Sequence, residues 1–241
     1  MTDFPRSAVV DLRQYTLRPG RRDTLIELFD RCFVAGQEDV GMHVVGQFRD
    51  LDDPDRFVWL RGFDSMAARG ASLPAFYGGP VWQAHRDRAN ATMVDSDNAL
   101  LLNPLRLADG YPRFGTTRDS AARPRSVVGI TVVHRGEPID EPFRAFVLGS
   151  VVPELAAAGG TPIAVFVTDP SGNNFPALPL RDEHVVVWIN RFDDDAAYRA
   201  HHTRLAASAG WRERVLPVLG KNAGLPVQQL RLRPTAGSQL R

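Results

Sequence analysis

The second half of this 241-residue chain repeats the first. Phe63-Asp64 precedes Trp82 by 19 positions and Phe192-Asp193 precedes Trp211 by 19, so one offset of 129 superimposes both pairs without a gap. Each copy carries an apolar run just before the Phe-Asp, Phe57-Val58-Trp59-Leu60 and Val186-Val187-Trp188-Ile189. Each closes on another run and a proline, Leu100-Leu101-Leu102-Asn103-Pro104 and Leu230-Arg231-Leu232-Arg233-Pro234. A repeat constrains the fold strongly, because each copy is one supersecondary unit that buries its remaining apolar face against the other. The chain divides into a first half over 1–106, a connection over 107–125 that loses periodicity, and a second half over 126–241.

Within the first half, Val9 to Leu17 alternates as a strand, with Asp11, Arg13 and Tyr15 on one face and Val10 and Leu12 on the other. Leu25, Phe29, Cys32, Phe33 and Gly36 fall on one helical face after Pro19-Gly20. Gly41–Arg49 and Phe57–Phe63 read as a strand hairpin around the turn cluster 50–55. Asp64 and Ser65 are N-cap types for a helix that breaks at Phe76-Tyr77-Gly78-Gly79-Pro80 and resumes with Trp82, His85, Ala89 and Met93. Leu100–Leu102 completes the order β-α-β-β-α-β.

The second half repeats that order with strands over Val127–His134, Pro162–Thr168, His184–Phe192 and Val227–Leu232. Its first helix opens at Asp140-Glu141-Pro142, with a kink expected at Pro153 and a stop at Gly159-Gly160. The hairpin loop from Asp169 is lengthened, and Pro234–Arg241 reads as a frayed tail.

A four-stranded antiparallel sheet with both helices on one face leaves its other face to be covered. Tyr15, Phe57, Trp59 and Trp188 are the residues this reading places on that second face, and two sheets facing each other would bury them. The expected fold is therefore α+β: two ferredoxin-like halves forming an intrachain, pseudo-dimeric α+β barrel, with a ligand in its interior.

The run Asp11-Leu12-Arg13-Gln14-Tyr15-Thr16-Leu17-Arg18-Pro19-Gly20 resembles the opening strand and turn of the NIPSNAP family. Phe57-Val58-Trp59-Leu60-Arg61-Gly62-Phe63, Trp82-Gln83-Ala84-His85-Arg86 and Leu101-Leu102-Asn103-Pro104 are similar to the rest of that domain in order and spacing, so the resemblance spans residues 8–104. The second half departs from it. Gly129-Ile130-Thr131-Val132-Val133 has neither the arginine nor the tyrosine, and Asn190 stands where Arg61 does. The resemblance implies the dimeric α+β barrel fold. It implies function less sharply, since relatives by fold include cofactor-free monooxygenases, lyases, isomerases, haem proteins and proteins without known activity.

Several side chains could carry chemistry. Arg13 could hold a carboxylate or enolate, and Tyr15 could donate or accept a proton beside it, with Asp11 on the same face. A buried ion pair capped by a hydroxyl explains the same three residues. His43 and Gln47 are expected on one face of the second strand, His43 being the natural general base near neutral pH. Trp59 and Arg61 could stack on and pair with an aromatic acid, Tyr77 could cover it from a flap over 76–80, and His85 lies on the Trp82 stripe. His85, His201 and His202 are the helical histidines that a haem reading would need, but no second ligand or haem signature accompanies them.

No cofactor is expected. The chain has no phosphate-cradling glycine loop, dinucleotide fingerprint, Gly-x-Ser-x-Gly elbow or metal-ligand spacing, and its single Cys32 forms no internal disulfide. A net charge of +1 gives no argument for nucleic acid, and no apolar run approaches the length of a membrane span, so neither partner is expected. Of 29 basic residues only Lys221 is lysine, a bias that GC-rich coding explains more simply than anion chemistry. With no signal-peptide pattern at Met1, the cytoplasm is the default location. The expected partner is a small-molecule ligand, and two chains could pair as a homodimer of pseudo-dimers. The chain is then either a small enzyme, with His43 or Tyr15 as base and Arg13 and Arg61 as anion holders, or a non-catalytic ligand-binding or scaffold protein.

Overall fold

The computed structural model describes residues 7–105, 124–221 and 223–241, so the connection expected over 107–125 lies almost wholly outside the described residues. The first half runs β1 (Val9–Leu17), α1 (Arg22–Leu28), α2 (Val34–Glu38), β2 (His43–Asp50), β3 (Arg56–Phe63), α3 (Met66–Tyr77), α4 (Pro80–Asn90) and β4 (Met93–Pro104). The second runs β5 (Val127–Arg135), α5 (Glu141–Phe146), α6 (Val152–Ala157), β6 (Pro162–Thr168), β7 (His184–Phe192), α7 (Asp195–Ala207), α8 (Leu216–Gly220) and β8 (Gln228–Pro234). The helices start where their caps dictate: Ser65, Asp140 and Asp194 accept from the backbone N–H groups of Ala68, Phe143 and Ala197.

The eight strands close into one antiparallel barrel in the ring order β1-β3-β2-β8-β5-β7-β6-β4. Each half supplies four neighbouring strands in the same internal order, β4-β1-β3-β2 and β8-β5-β7-β6. The seams between halves are β2 with β8 and β4 with β6, and closure leaves no open sheet edge.

Val10, Leu12, Val58 and Leu60 meet Val128, Ile130, Val187 and Ile189 inside the barrel in one apolar cluster. Each such side chain contributes about 1.5–3 kcal/mol on full burial, which is what holds the two sheets together. The outer faces are covered by helices. Tyr15, Phe57, Trp59 and Phe63 pack against Phe29, Phe33, Leu73 and Phe76, while Val133, Val186 and Trp188 pack against Phe143, Val147, Val151 and Trp211.

This layering reverses an expectation. Tyr15, Phe57, Trp59 and Trp188 do not face the barrel interior but lie under the helices, and it is the aliphatic face that closes the barrel. Two-residue alternation separates a strand's faces without saying which is which. The barrel interior is a packed aliphatic core, and the site expected inside it lies elsewhere.

Three local features also differ from expectation. The tail is anchored: Thr235 and Leu240 donate their backbone N–H groups to Gln47 and Val45, and Leu240 joins the barrel core. The expected kink at Pro153 is a wide π-type turn over Val147–Val151 just before it. The first half has the same turn at Phe29–Phe33 without a proline, so the widening belongs to the fold. Met93 opens β4 and does not continue α4, which ends at Asn90. Among the described residues no helix is long and apolar enough to cross a membrane.

Candidate functional site

Between the first-half sheet and its helices lies a layer of buried charge. Asp11, Arg13 and Arg61 point into it from β1 and β3, where Asp11 pairs with Arg61 and Arg13 with Trp59 across the two strands. Arg69 enters from α3, and all four side chains are fully buried. Arg61 Nε donates to Asp11 Oδ2 at 2.9 Å and Arg69 Nε to Asp11 Oδ1 at 3.2 Å, so one carboxylate serves two guanidiniums. Burial alone would push the Asp11 carboxyl up, but the charges of Arg61, Arg69 and Arg13 outweigh it and hold the group below the usual carboxylate range.

The rest of the layer is built around Arg61. Its Nη1 donates to Gln37 Oε1 at 3.2 Å and to the Tyr77 hydroxyl at 3.3 Å, and its guanidinium lies 5.0 Å from the centre of the Trp59 ring. Burial works against its charge, yet Tyr77, Asp11 and Tyr15 together keep its pKa raised. Arg13 donates from Nε to the Tyr15 hydroxyl at 3.2 Å and from Nη2 to Ser96 O at 3.0 Å. Burial raises the Tyr15 pKa against the pull of Arg13, so its phenol is protonated at neutral pH and serves as a donor.

Tyr15, Gln37, Trp59, Tyr77 and Trp82 line a cavity of about 20 Å³, enough for one water. Three donors in this layer, Arg13 Nη1, Trp59 Nε1 and Arg69 Nη2, are buried without a hydrogen-bond partner among the described residues. Three cations face one carboxylate, and the unmatched donors outnumber the one unmatched acceptor, Gln47 Oε1. What such a layer can do is hold an oxyanion.

Several expected site residues meet here: Asp11, Arg13, Tyr15, Trp59, Arg61 and Tyr77. The flap expected over 76–80 is the junction of α3 and α4, where Tyr77 is half-buried and a Cβ on Gly79 would come within 2.6 Å of Ala75 O. His85 sits half-buried with its ring 6.3 Å from Phe33, at the rim of the layer.

His43 and Gln47 are not brought together. A bulge between Val44 and Gly46 shifts the register, so His43 lies opposite Gly62 on the barrel side and Gln47 opposite Trp59 on the helix side. His43 Nε2 is 3.0 Å from Asp64 Oδ1 near the surface, at the far end of β3 from Tyr15's partner Phe57, and is not positioned as the base of this site. Gln47 is fully buried, and its amide atoms have no partner among the described residues. His201 is buried against Phe192 with Nδ1 3.2 Å from Ala158 O, and His202 packs on Tyr198. Among the described residues no group of three or more His, Cys, Asp or Glu could hold a metal ion.

Sequence reading missed Arg69 and Gln37. The available signal was a polar residue on an apolar helical stripe, Arg69 with Leu73 and Phe76, and Gln37 with Phe29 and Phe33. The positions of the second half that match Asp11, Arg13 and Arg61 carry no charge, and its nearly buried cation, Arg135, sits farther along β5, 3.8 Å from the centre of the Phe143 ring. Gly129 pairs with Asn190 and Thr131 with Trp188, as Asp11 does with Arg61 and Arg13 with Trp59. Tyr198 fills the space over Gly129, 3.3 Å from where a Cβ would stand, and the Asn190 amide donates to Gly160 O at 2.6 Å.

Residues 10–107 match the NIPSNAP family model. The first half of this chain is a NIPSNAP domain. Solved structures extend the likeness of fold beyond that domain to both halves. A candidate monooxygenase from Fusobacterium nucleatum is 10% identical with a TM-score of 0.61, over 97% of this chain and 94% of that one. Another from Lactobacillus acidophilus is 12% identical with a TM-score of 0.58, over 95% and 94%. An anthrone oxidase-like protein is 12% identical with a TM-score of 0.62, over 98% of each chain. No curated protein shows a significant match. The NIPSNAP domain thus occurs here as one half of a closed α+β barrel.

Proposed function

We propose that the NIPSNAP half binds a small aromatic or carboxylate-bearing metabolite as its oxyanion, between sheet and helices, and promotes chemistry that passes through that anion. The observation that carries this reading is the set of unmatched donors, Arg13 Nη1 and Trp59 Nε1, beside the protonated Tyr15 in a layer with three guanidiniums and one carboxylate. A buried excess of positive charge is costly until an anion neutralises it, and donors fixed beforehand stabilise a developing oxyanion without reorganising. Arg13 and Tyr15 would hold the oxyanion, Trp59 would supply a stacking wall, and Arg61 with Tyr77 would set the far side.

Two fold relatives named as monooxygenases and one named as anthrone oxidase-like support a cofactor-free oxygenase as one form of this chemistry. In that form an activated methylene loses a proton, its carbanion gives electrons to O2, one oxygen atom stays on carbon as a carbonyl and the other leaves as water. In a lyase or isomerase form the anion rearranges and no oxygen is consumed. The self-satisfied Asp11–Arg61–Arg69 network and the small cavity support a second reading, a non-catalytic ligand-binding barrel. The second half, 126–241, is on this view a diverged ferredoxin-like copy joined through 107–125, which completes the barrel and carries no anion site.

Salicylate and 1-hydroxy-2-naphthoate are suitable probes, read by quenching of tryptophan fluorescence. Loss of one charge-assisted hydrogen bond is worth about 1.5–3 kcal/mol, so Arg13→Ala should weaken binding about 10- to 150-fold. Tyr15→Phe removes a neutral donor and should weaken it about 2- to 12-fold. Unchanged binding in both folded variants sinks the site. An oxygen electrode with anthrone-type substrates separates the oxygenase form from the others.

A further inference from the structure

The β6–β7 connection of the second half, residues 169–183, is much longer than its first-half counterpart, residues 51–55, and it crosses onto the NIPSNAP half. Its ends are fastened to β4, where Asp169 N donates to Leu101 O at 2.9 Å and Arg181 N to Ala99 O at 2.8 Å. Between these points it reaches the charged layer. Arg69 Nη1 donates to Asn174 Oδ1 at 2.6 Å and to Asn173 Oδ1 at 3.2 Å, while Asn174 Nδ2 donates to Met66 O at 2.6 Å. The Phe175 ring stacks on Tyr77, 5.9 Å between centres at an interplanar angle of 20°. Leu178 and Leu180 add to the apolar packing of that layer.

The cavity at Tyr15, Trp59 and Tyr77, about 20 Å³, has room for one water but not for an aromatic ring, so a ligand enters only if part of its wall moves. One wall is a strand of a closed barrel and cannot move alone. The rest is mostly helical, with Leu25, Phe29, Phe33 and Gln37 on one side and the α3–α4 junction on the other, where Tyr77 at the end of α3 is held from within by Arg61 and from without by Phe175. Arg69, on the same helix, is held from within by Asp11 and from without by Asn173 and Asn174. The half that lacks the Asp11–Arg61–Arg69 set therefore supplies the outer fastening of the half that has it.

We propose that Asn174 and Phe175 are positioning and specificity residues for the first-half site: the loop latches α3, and Phe175, through Tyr77, sets how large a ring the pocket admits. This rests on the ligand reading above. The latch and the ligand are separable, because the latch controls opening even without a ligand.

The test measures amide hydrogen exchange of the full chain with and without Phe175→Ala, together with binding of salicylate and the larger 1-hydroxy-2-naphthoate. An aromatic pair of this kind accounts for about 2- to 12-fold in the opening equilibrium, so exchange over residues 76–82 should accelerate by that factor while the second-half helices stay unchanged. Binding of the bicyclic probe should tighten by a similar factor relative to salicylate, because the competent state is more populated. Phe175→Tyr keeps the stack and should restore wild-type behaviour. Exchange over 76–82 that is unchanged in Phe175→Ala overturns the proposal, as does an acceleration spread evenly over both halves. If exchange accelerates locally but neither probe binds the wild-type protein, the latch stands and the ligand reading fails.

Discussion

Replacing Asp11 with asparagine is expected to destabilise the protein by about 3–5 kcal/mol, because it leaves buried guanidiniums without the carboxylate they share. Arg61 and Arg69 lie 2.9 and 3.2 Å from its two oxygens, and all three groups are fully buried. Urea unfolding at neutral pH measures the loss. The pH dependence has a definite sign. Asp11 is depressed in the folded state, so its contribution is fully present above the unfolded value of about 3.9 and disappears as pH falls through the lower folded value. Wild type and Asp11→Asn should therefore differ by a constant amount above about pH 5 and converge in acid. The same variant should bind an aromatic oxyanion more tightly, since the layer gains a net positive charge. A substitution that lowers stability while raising anion affinity distinguishes an anion site from a plain structural ion pair.

Arg61→Met is the second large effect, and charge counting sets its direction against the first. Removing one of three cations leaves Asp11 paired with Arg69, so the stability loss should be smaller, about 1–3 kcal/mol. Binding should suffer more, by about 10- to 150-fold, because Arg61 aligns Tyr77 and Gln37 and faces Trp59. Equal stability losses for Asp11→Asn and Arg61→Met would mean that the third cation is not felt. The double variant should be less destabilised than the sum of the singles, since the two residues share one interaction.

What could be read in advance follows from what sequence encodes locally. The β-α-β-β-α-β order, its recurrence after the connection and the caps at Ser65, Asp140 and Asp194 were legible because periodicity, spacing and cap chemistry are local. The grouping of Asp11, Arg13 and Tyr15 on one strand face was legible too, and so was the inequality of the halves at Arg61 and Asn190. Which face turns inward was not, because alternation is symmetric and both faces of β1 carry apolar residues. The separation of His43 from Gln47 depends on a bulge that only the pairing of β2 with β3 reveals. The reach of Asn173–Phe175 across to Arg69 and Tyr77 joins positions about a hundred residues apart, and no local pattern marks it. The tail followed the same rule: its composition reads as frayed, but Leu240 is buried in the barrel.

The two halves of this chain supply strands in the same order but have different interiors. The first buries three arginines and an aspartate under its helices, and the second fills the matching space with Tyr198, Trp188 and aliphatic side chains. On the proposed function each chain has one ligand site, in the NIPSNAP half. Calorimetric titration of the full chain with 1-hydroxy-2-naphthoate tests this most directly, in wild type and in Arg61→Met. A single site per chain is expected, lost or severely weakened in the variant. Two equivalent sites per chain, or one site indifferent to Arg61, would contradict it.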